Sequence, residues 1–386
     1  MLKQPRLNSI DLLRGLVMVL MALDHVRDFF TETRIDPLDL TETSAALFLT
    51  RWITHYCAPV FVFLAGTGAF LSLSRGKSKS DLSKFLLSRG LWLVIVEFTL
   101  VRFGWLFNLD YTFTFGQVIW VIGWSMVVLS GLVFLSTRVI AAVGILMIVA
   151  HNALDGFTPE QFGSFDWLWQ ILHVRSIISL GVESVFIVAY PLIPWIGVMA
   201  CGYAFGQIVR MEEGPRRKAL LQIGLGATLA FIVIRAANLY GDPLLWSVQE
   251  SPLFTFLSFI NTTKYPASLL FLLMTLGPSI ALLVPFEHAG GRIAQFFIVF
   301  GRVPFFFYIL HIYLAHFLAF LVASATGHET WYMFANNAPW GWPEGFGFGL
   351  PVVYAVWVGV VLLLYPACNW YADLKRRSRH PLLSYL

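Results

Sequence analysis

The sequence predicts an all-α, polytopic membrane protein: a bundle of about ten transmembrane helices with both termini cytoplasmic. Three observations predict it. Of 386 residues, 58% are hydrophobic, 16% aromatic and 12% charged, with mean hydropathy +0.73, and no soluble fold has enough interior to hide that apolar share. The apolar residues gather into runs near the roughly 20 residues a helix needs to cross hydrocarbon. Lys and Arg collect in alternate connecting segments, as the positive-inside rule requires.

The runs lie near 9–30, 50–73, 85–107, 115–135, 138–154, 184–208, 218–238, 264–284, 303–325 and 350–372. The first, SIDLLRGLVMVLMALDHVRDFF, exceeds the usual length of a signal-peptide core and has no small-residue cleavage site after it, so it is expected to be retained as a span. The fifth is short and broken by His151 and Asn152. Lys3 and Arg6 precede the first run. Arg75, Lys77, Lys79 and Lys84 follow the second, Arg138 the fourth, Arg210, Arg216, Arg217 and Lys218 the sixth, Arg292 the eighth, and Lys375, Arg376, Arg377 and Arg379 the tenth. The opposite segments are acidic and aromatic. Among them, 160–183 is expected to lie in the outer interface through its Trp and Phe residues.

No repeat, nucleotide fingerprint or separate soluble segment interrupts this pattern, so residues 1–386 read as one domain. The net charge of +4 reports topology, with no nucleic-acid partner implied. Cys57, Cys201 and Cys368 are odd in number and lie in apolar runs, which argues against a disulfide framework or a Cys metal site; no metal is expected.

Function is sought where charge enters the apolar runs. At about 100° per residue, Asp11, Arg14, Met18, Met21, His25 and Asp28 fall on one stripe of the first helix, which should face protein. An ionised side chain in hydrocarbon costs at least roughly 2.5–3.5 kcal/mol, so such residues persist when paired, hydrated or useful. Asp24, His25, Arg27, Asp28, Arg51, His55, Arg102, Arg235, Asn238, Asn261 and Lys264 are assigned to the outer face; Asp11, Arg14 and Arg302 lie near the inner face, and Glu97 and His311 deeper. Eleven residues, or roughly 16 Å of helix, separate Arg14 from His25. Pro, Gly and polar residues interrupt the runs at 57–70, 190–198, 261–278 and 301–316, and irregular backbone at membrane depth is tolerated where it is buried or lines a cavity.

RLNSIDLLRG, the helix end LDHVRDFF, RWITHYCAPVFVFLAGTGAFLS, YPLIPWIGVMACGYAFG, NTTKYPASLLFLLMTLGP and GRVPFFFYILH together resemble the bacterial branch of the heparan-α-glucosaminide N-acetyltransferase family, within the transmembrane acyltransferase superfamily. The resemblance implies a bacterial inner-membrane enzyme that takes an acyl group, acetyl above all, from cytoplasmic acyl-CoA and delivers it to an extracytoplasmic acceptor, usually a sugar. In related O-acyltransferases a His at the outer end of the first helix is catalytic and an earlier Arg is essential, positions matched here by His25 and Arg14. In the lysosomal branch the first helix ends in Asn, where this chain has Asp24. The next His after His25 is His55.

The catalytic candidates are therefore His25, with Asp24 or Asp28 fixing its tautomer, and His55 as the alternative base. Asp11, Arg14, Arg302 and His311 are candidates for acyl-CoA, aided by loop Lys77 and Lys79. Asp28, Arg51, Arg102, Arg235, Asn261 and Lys264 are candidates for the acceptor, and the aromatic segment 331–345 for a sugar-stacking lid. Expected partners are acyl-CoA, a glycan or other small acceptor, the bilayer and a second copy of the chain. The alternative reading is a secondary transporter that uses intramembrane Asp, His and Arg; it would favour paired half-sequences, and none is found between 1–190 and 191–386.

Overall fold

The computed structural model describes residues 8–73, 76–336, 345–378, 380 and 383. Lys3, Arg6, Arg75 and Arg379, together with 337–344 of the aromatic segment, lie outside the described residues.

The chain is mostly helical, in order α1 (Asn8–Phe30), α2 (Ala45–Ile53), α3 (Cys57–Leu73), α4 (Lys79–Val96), α5 (Arg102–Leu106), α6 (Val118–Leu132), α7 (Thr137–Ala150), α8 (Asp166–Leu172), α9 (Leu192–Val209), α10 (Glu213–Ala237), α11 (Pro252–Ile260), α12 (Leu269–Phe286), α13 (Gly291–Arg302), α14 (Pro304–Ala325) and α15 (Leu350–Arg377). By length and apolar composition, seven stretches can cross a membrane: Ala45–Leu73, Thr137–Leu154, Leu192–Val209, Glu213–Ala237, Leu269–Phe286, Pro304–Ala325 and Leu350–Arg377. Helix α1 is not among the seven, because Asp11, Arg14, Asp24, Arg27 and Asp28 charge every 18-residue window of it.

The chain divides into two compact units. The first comprises 1–57, 103–109 and 282–386, and α1 is its centre. Helices α13, α14 and α15 all pack on α1, so 16 of its 23 residues are buried, and Leu12, Val19 and Leu23 face protein as fully as the polar stripe does. Small residues permit the closest approach. A Cβ added at Gly15 would stand 1.8 Å from the Phe297 carbonyl oxygen, and one at Gly301 would stand 1.8 Å from that of Asp11. At such a crossing van der Waals contact replaces the hydrophobic drive that lipid cannot supply. Two side chains also donate to carbonyls in the middle of α1: Cys57 Sγ to Val17 at 3.2 Å and Trp357 Nε1 to Val19 at 2.8 Å. The C-terminal end of α1 is tied down by Phe348, whose N–H donates to the Phe30 carbonyl at 2.7 Å.

The second unit comprises 58–102 and 110–281. Its helices also cross at glycines, with Gly90 facing Gly123 between α4 and α6, and Gly144 facing Gly197 between α7 and α9. A three-stranded sheet, β1 (Phe113–Gly116), β2 (Ser176–Ser179) and β3 (Val185–Val188), runs in the order β1-β3-β2, with β1–β3 parallel and β2–β3 antiparallel. These strands correct the expectation of a purely α fold. The apolar runs expected to open spans at 115 and 184 begin as strand, and the helices start after Gln117 and Pro191. Glu97, in a π-helical turn (Glu97–Val101), accepts from the N–H groups of Gln117 at 2.8 Å and Trp120 at 3.1 Å, so a buried carboxylate caps the start of α6. The segment expected at the interface is a 3-10 turn, α8 and β2, with Phe162, Phe165, Trp167 and Leu168 exposed.

Candidate functional site

In the first unit, two polar groups sit towards opposite ends of α1. At the N-terminal end, Asp11 is buried and Arg14 lies one turn on, with Nη1 3.5 Å from the Asp11 carboxylate and donating to the Gly301 carbonyl at 3.1 Å. Arg302, at the C-terminus of α13, brings its Nε to 3.9 Å from the same carboxylate. Two guanidiniums thus face one buried acid beside the end of α13.

At the C-terminal end, His25 Nδ1 stands 2.7 Å from His311 Nε2 of α14, and His311 Nδ1 stands 2.9 Å from the Phe307 carbonyl oxygen one turn back in its own helix. The two imidazoles stack with centroids 4.9 Å apart and planes 11° apart. Trp105 presents to His25 at 4.9 Å and 73°, and Tyr308 at 6.1 Å and 81°, both edge-to-face. His311 is fully buried, whereas His25 is partly exposed.

Beside this pair lies a charge network. Asp24 accepts from Arg27 Nη2 at 3.0 Å and from Arg51 Nη1 at 2.6 Å, and Arg27 Nη2 also donates to Asp28 at 2.7 Å. Adjacent helix positions diverge by about 100°, which is why Asp24 turns towards Arg51 of α2 while His25 turns towards α14. Arg51 also donates to the Thr54 hydroxyl at 3.1 Å, and the neighbouring His55, in a 3-10 turn (Thr54–Tyr56), is fully buried.

In the second unit, Arg235 is a clamp, giving its guanidinium to the carbonyls of Phe259 at 2.9 Å, Leu244 at 2.6 Å, Ser258 at 3.0 Å and Asn261 at 2.7 Å. Buried Arg102 donates to the carbonyls of Phe113, at 2.8 Å, and Asp110, and lies over the Tyr111 ring. Both arginines therefore hold loops through neutral acceptors. Lys264 lies against the rings of Tyr265 and Tyr190. Lys79 donates to the carbonyls of Phe134 and Leu135, both at 3.1 Å.

The structure thus unites His25 with His311, Asp24 with Arg51, Asp11 with Arg14 and Arg302, and Arg235 with Asn261. The sequence alone groups His311 with the acyl-CoA candidates, whereas the structure pairs it with His25. Trp105 and Tyr308 carried no signal of their own, because aromatic residues occur in all but one of the apolar runs. Among the described residues no cluster of three or more His, Cys, Asp or Glu could hold a metal ion.

No curated protein gave a significant match to the chain. The family profile described as heparan-alpha-glucosaminide N-acetyltransferase, catalytic, matches residues 6–240, which include α1 and α2 with His25 and Arg51. With more than half its length matched, and with helices long and apolar enough to span a bilayer, this integral membrane protein belongs to the heparan-alpha-glucosaminide N-acetyltransferase catalytic family and is an acetyltransferase-like enzyme.

Proposed function

We propose that the chain moves an acetyl group from cytoplasmic acetyl-CoA to the amine of an extracytoplasmic amino sugar, with His25 as general base. The observation that carries this reading is the 2.7 Å His25–His311 pair backed by the Phe307 carbonyl. A carbonyl only accepts, so neutral His311 carries its proton on Nδ1 and offers the Nε2 lone pair. That lone pair calls for the proton of His25 on Nδ1, which leaves His25 Nε2 as the basic nitrogen. As the amine nitrogen attacks the thioester carbonyl, Nε2 takes the amine proton. The C–S bond then breaks, and the imidazolium returns that proton to the departing thiolate. His311 acts as the positioning residue, in the role first assigned to Asp24 or Asp28.

The two guanidiniums around Asp11 fit the phosphates of CoA, since guanidinium forks pair with phosphate oxygens. Asp24, held by Arg27 and Arg51, sets the field beside His25, while Asp28 and Arg51 are the acceptor-facing charges. In this reading Arg102 and Arg235 act indirectly, by fixing loops. The whole chain, 1–386, serves the one reaction in a bacterial inner membrane with both termini cytoplasmic, and His55 is the base if His25 is not.

The test is thioester loss from acetyl-CoA by purified protein, measured with and without glucosamine. Stoichiometric N-acetylglucosamine formation supports the reading. Movement of glucosamine across vesicles with the thioester intact would support a transporter instead.

A further inference from the structure

We infer that Lys264, Arg175, Tyr265 and Tyr190 of the second unit form a binding site for an oxyanion, a sulfate, phosphate or carboxylate carried by a soluble saccharide or by a lipid headgroup. Lys264 is 8% exposed. Its contacts are the Tyr265 ring, 5.1 Å from Nζ to the centroid, and the Tyr190 ring, at 5.8 Å. Arg175, on the exposed strand-leading segment before β2, lies over the same Tyr265 ring at 5.1 Å. Among the described residues neither cation has a carboxylate partner. A largely buried cation without a counter-charge is costly, and Lys264 and Arg175 both lie against the Tyr265 ring. An oxyanion bound at that ring supplies the missing charge.

Asp242, the acid bound to this loop, does not do so. Asp242 accepts four neutral donors: Leu244 N–H and the Thr263 hydroxyl at Oδ1, both 2.8 Å, then Thr263 N–H at 2.8 Å and the Ser268 hydroxyl at 2.6 Å at Oδ2. With Asp242 gripping residue 263 on one side of Lys264 and Arg235 gripping residue 261 on the other, the loop holds Lys264 in place without engaging its charge. A rigid frame around a cation with no carboxylate partner among the described residues is the arrangement expected of a preorganised anion site.

The site does not depend on the acetyl-transfer reading. Full-length protein, delipidated in a neutral detergent, is titrated with inorganic sulfate against chloride at matched ionic strength, then with a sulfated monosaccharide and with phosphatidylglycerol, reading the thermal unfolding midpoint. Saturable stabilisation is expected for wild type and for His25→Ala, weakened on the order of 10- to 100-fold in Lys264→Met and in Arg175→Gln. Arg175 is exposed, so its variant keeps the test decisive if Lys264→Met fails to fold. The titrant that saturates at the lowest concentration identifies the source. Absence of saturable binding by all three, or binding equal in wild type and Arg175→Gln, overturns the site.

Discussion

Replacing His311 with Leu tests the imidazole pair directly. The substitution removes the Nε2 acceptor 2.7 Å from His25 Nδ1 and keeps an apolar side chain against Phe307. His25 then keeps its ring but loses the partner that fixes which nitrogen is basic. General-base catalysis contributes about 10²–10⁴-fold, and loss of the tautomer-fixing partner forfeits much of it, so kcat should fall about 10²–10⁴-fold. Loss of this hydrogen bond also costs about 0.5–1.5 kcal/mol of stability, enough to lower the unfolding midpoint without preventing the fold. The assay is acetyl transfer from radiolabelled acetyl-CoA to glucosamine in proteoliposomes, with KM for acetyl-CoA measured alongside. A structural role alone would lower stability and the amount of active protein, yet would leave kcat per folded molecule unchanged. His311→Gln, whose amide oxygen can still accept, should recover part of kcat. If His311→Leu turns over like wild type, the relay from Phe307 through His311 to His25 is wrong.

Gly15→Val should prevent stable assembly of the first unit, because its Cβ would meet the Phe297 carbonyl oxygen at 1.8 Å where no side chain can yield. A loss of about 3 kcal/mol or more is expected, read as aggregation on size-exclusion chromatography, and a monodisperse, heat-stable variant would contradict the packing. Arg235→Met should leave the carbonyls of Phe259, Leu244, Ser258 and Asn261 without their donor and cost at least about 3 kcal/mol in thermal unfolding. Burial would raise the Asp155 carboxyl, but hydrogen bonds from His173 and Asn152 outweigh it and hold the group below its ordinary value. Its folded pKa therefore lies below the unfolded value of about 3.9, so its stabilisation is present above that pH and is lost as pH falls through the folded value. Asp155→Asn should flatten the fall in unfolding midpoint below about pH 4, and an unchanged acid slope would remove Asp155 from that transition.

Most helices were legible from apolar runs because lipid and core both demand apolar surface over a fixed length. The missing pieces are short ones. Helix α13 has only 12 residues, too few to cross hydrocarbon, yet its Gly301 gives α1 its closest neighbour. Strands β1 and β3 were absorbed into adjoining apolar runs, since a buried strand and the start of a span look alike in composition. Within the candidate site, Asp24, His25 and Asp28 stood out because charge in an apolar helix is costly. Their partners did not, because His25 and His311 are 286 positions apart and only the folded chain brings their rings together. Arg235 and Arg102 looked like ligand-binding cations for the same reason of cost. Their neutral carbonyl acceptors show a second way to keep a guanidinium buried, one invisible without coordinates.

The most direct test seals glucosamine inside vesicles carrying the full-length protein, with its cytoplasmic side outward, and supplies acetyl-CoA only outside. Wild type is predicted to produce N-acetylglucosamine in the lumen, and His25→Ala to fall to background while still binding acetyl-CoA. Lumenal product formed equally well by His25→Ala would contradict the account.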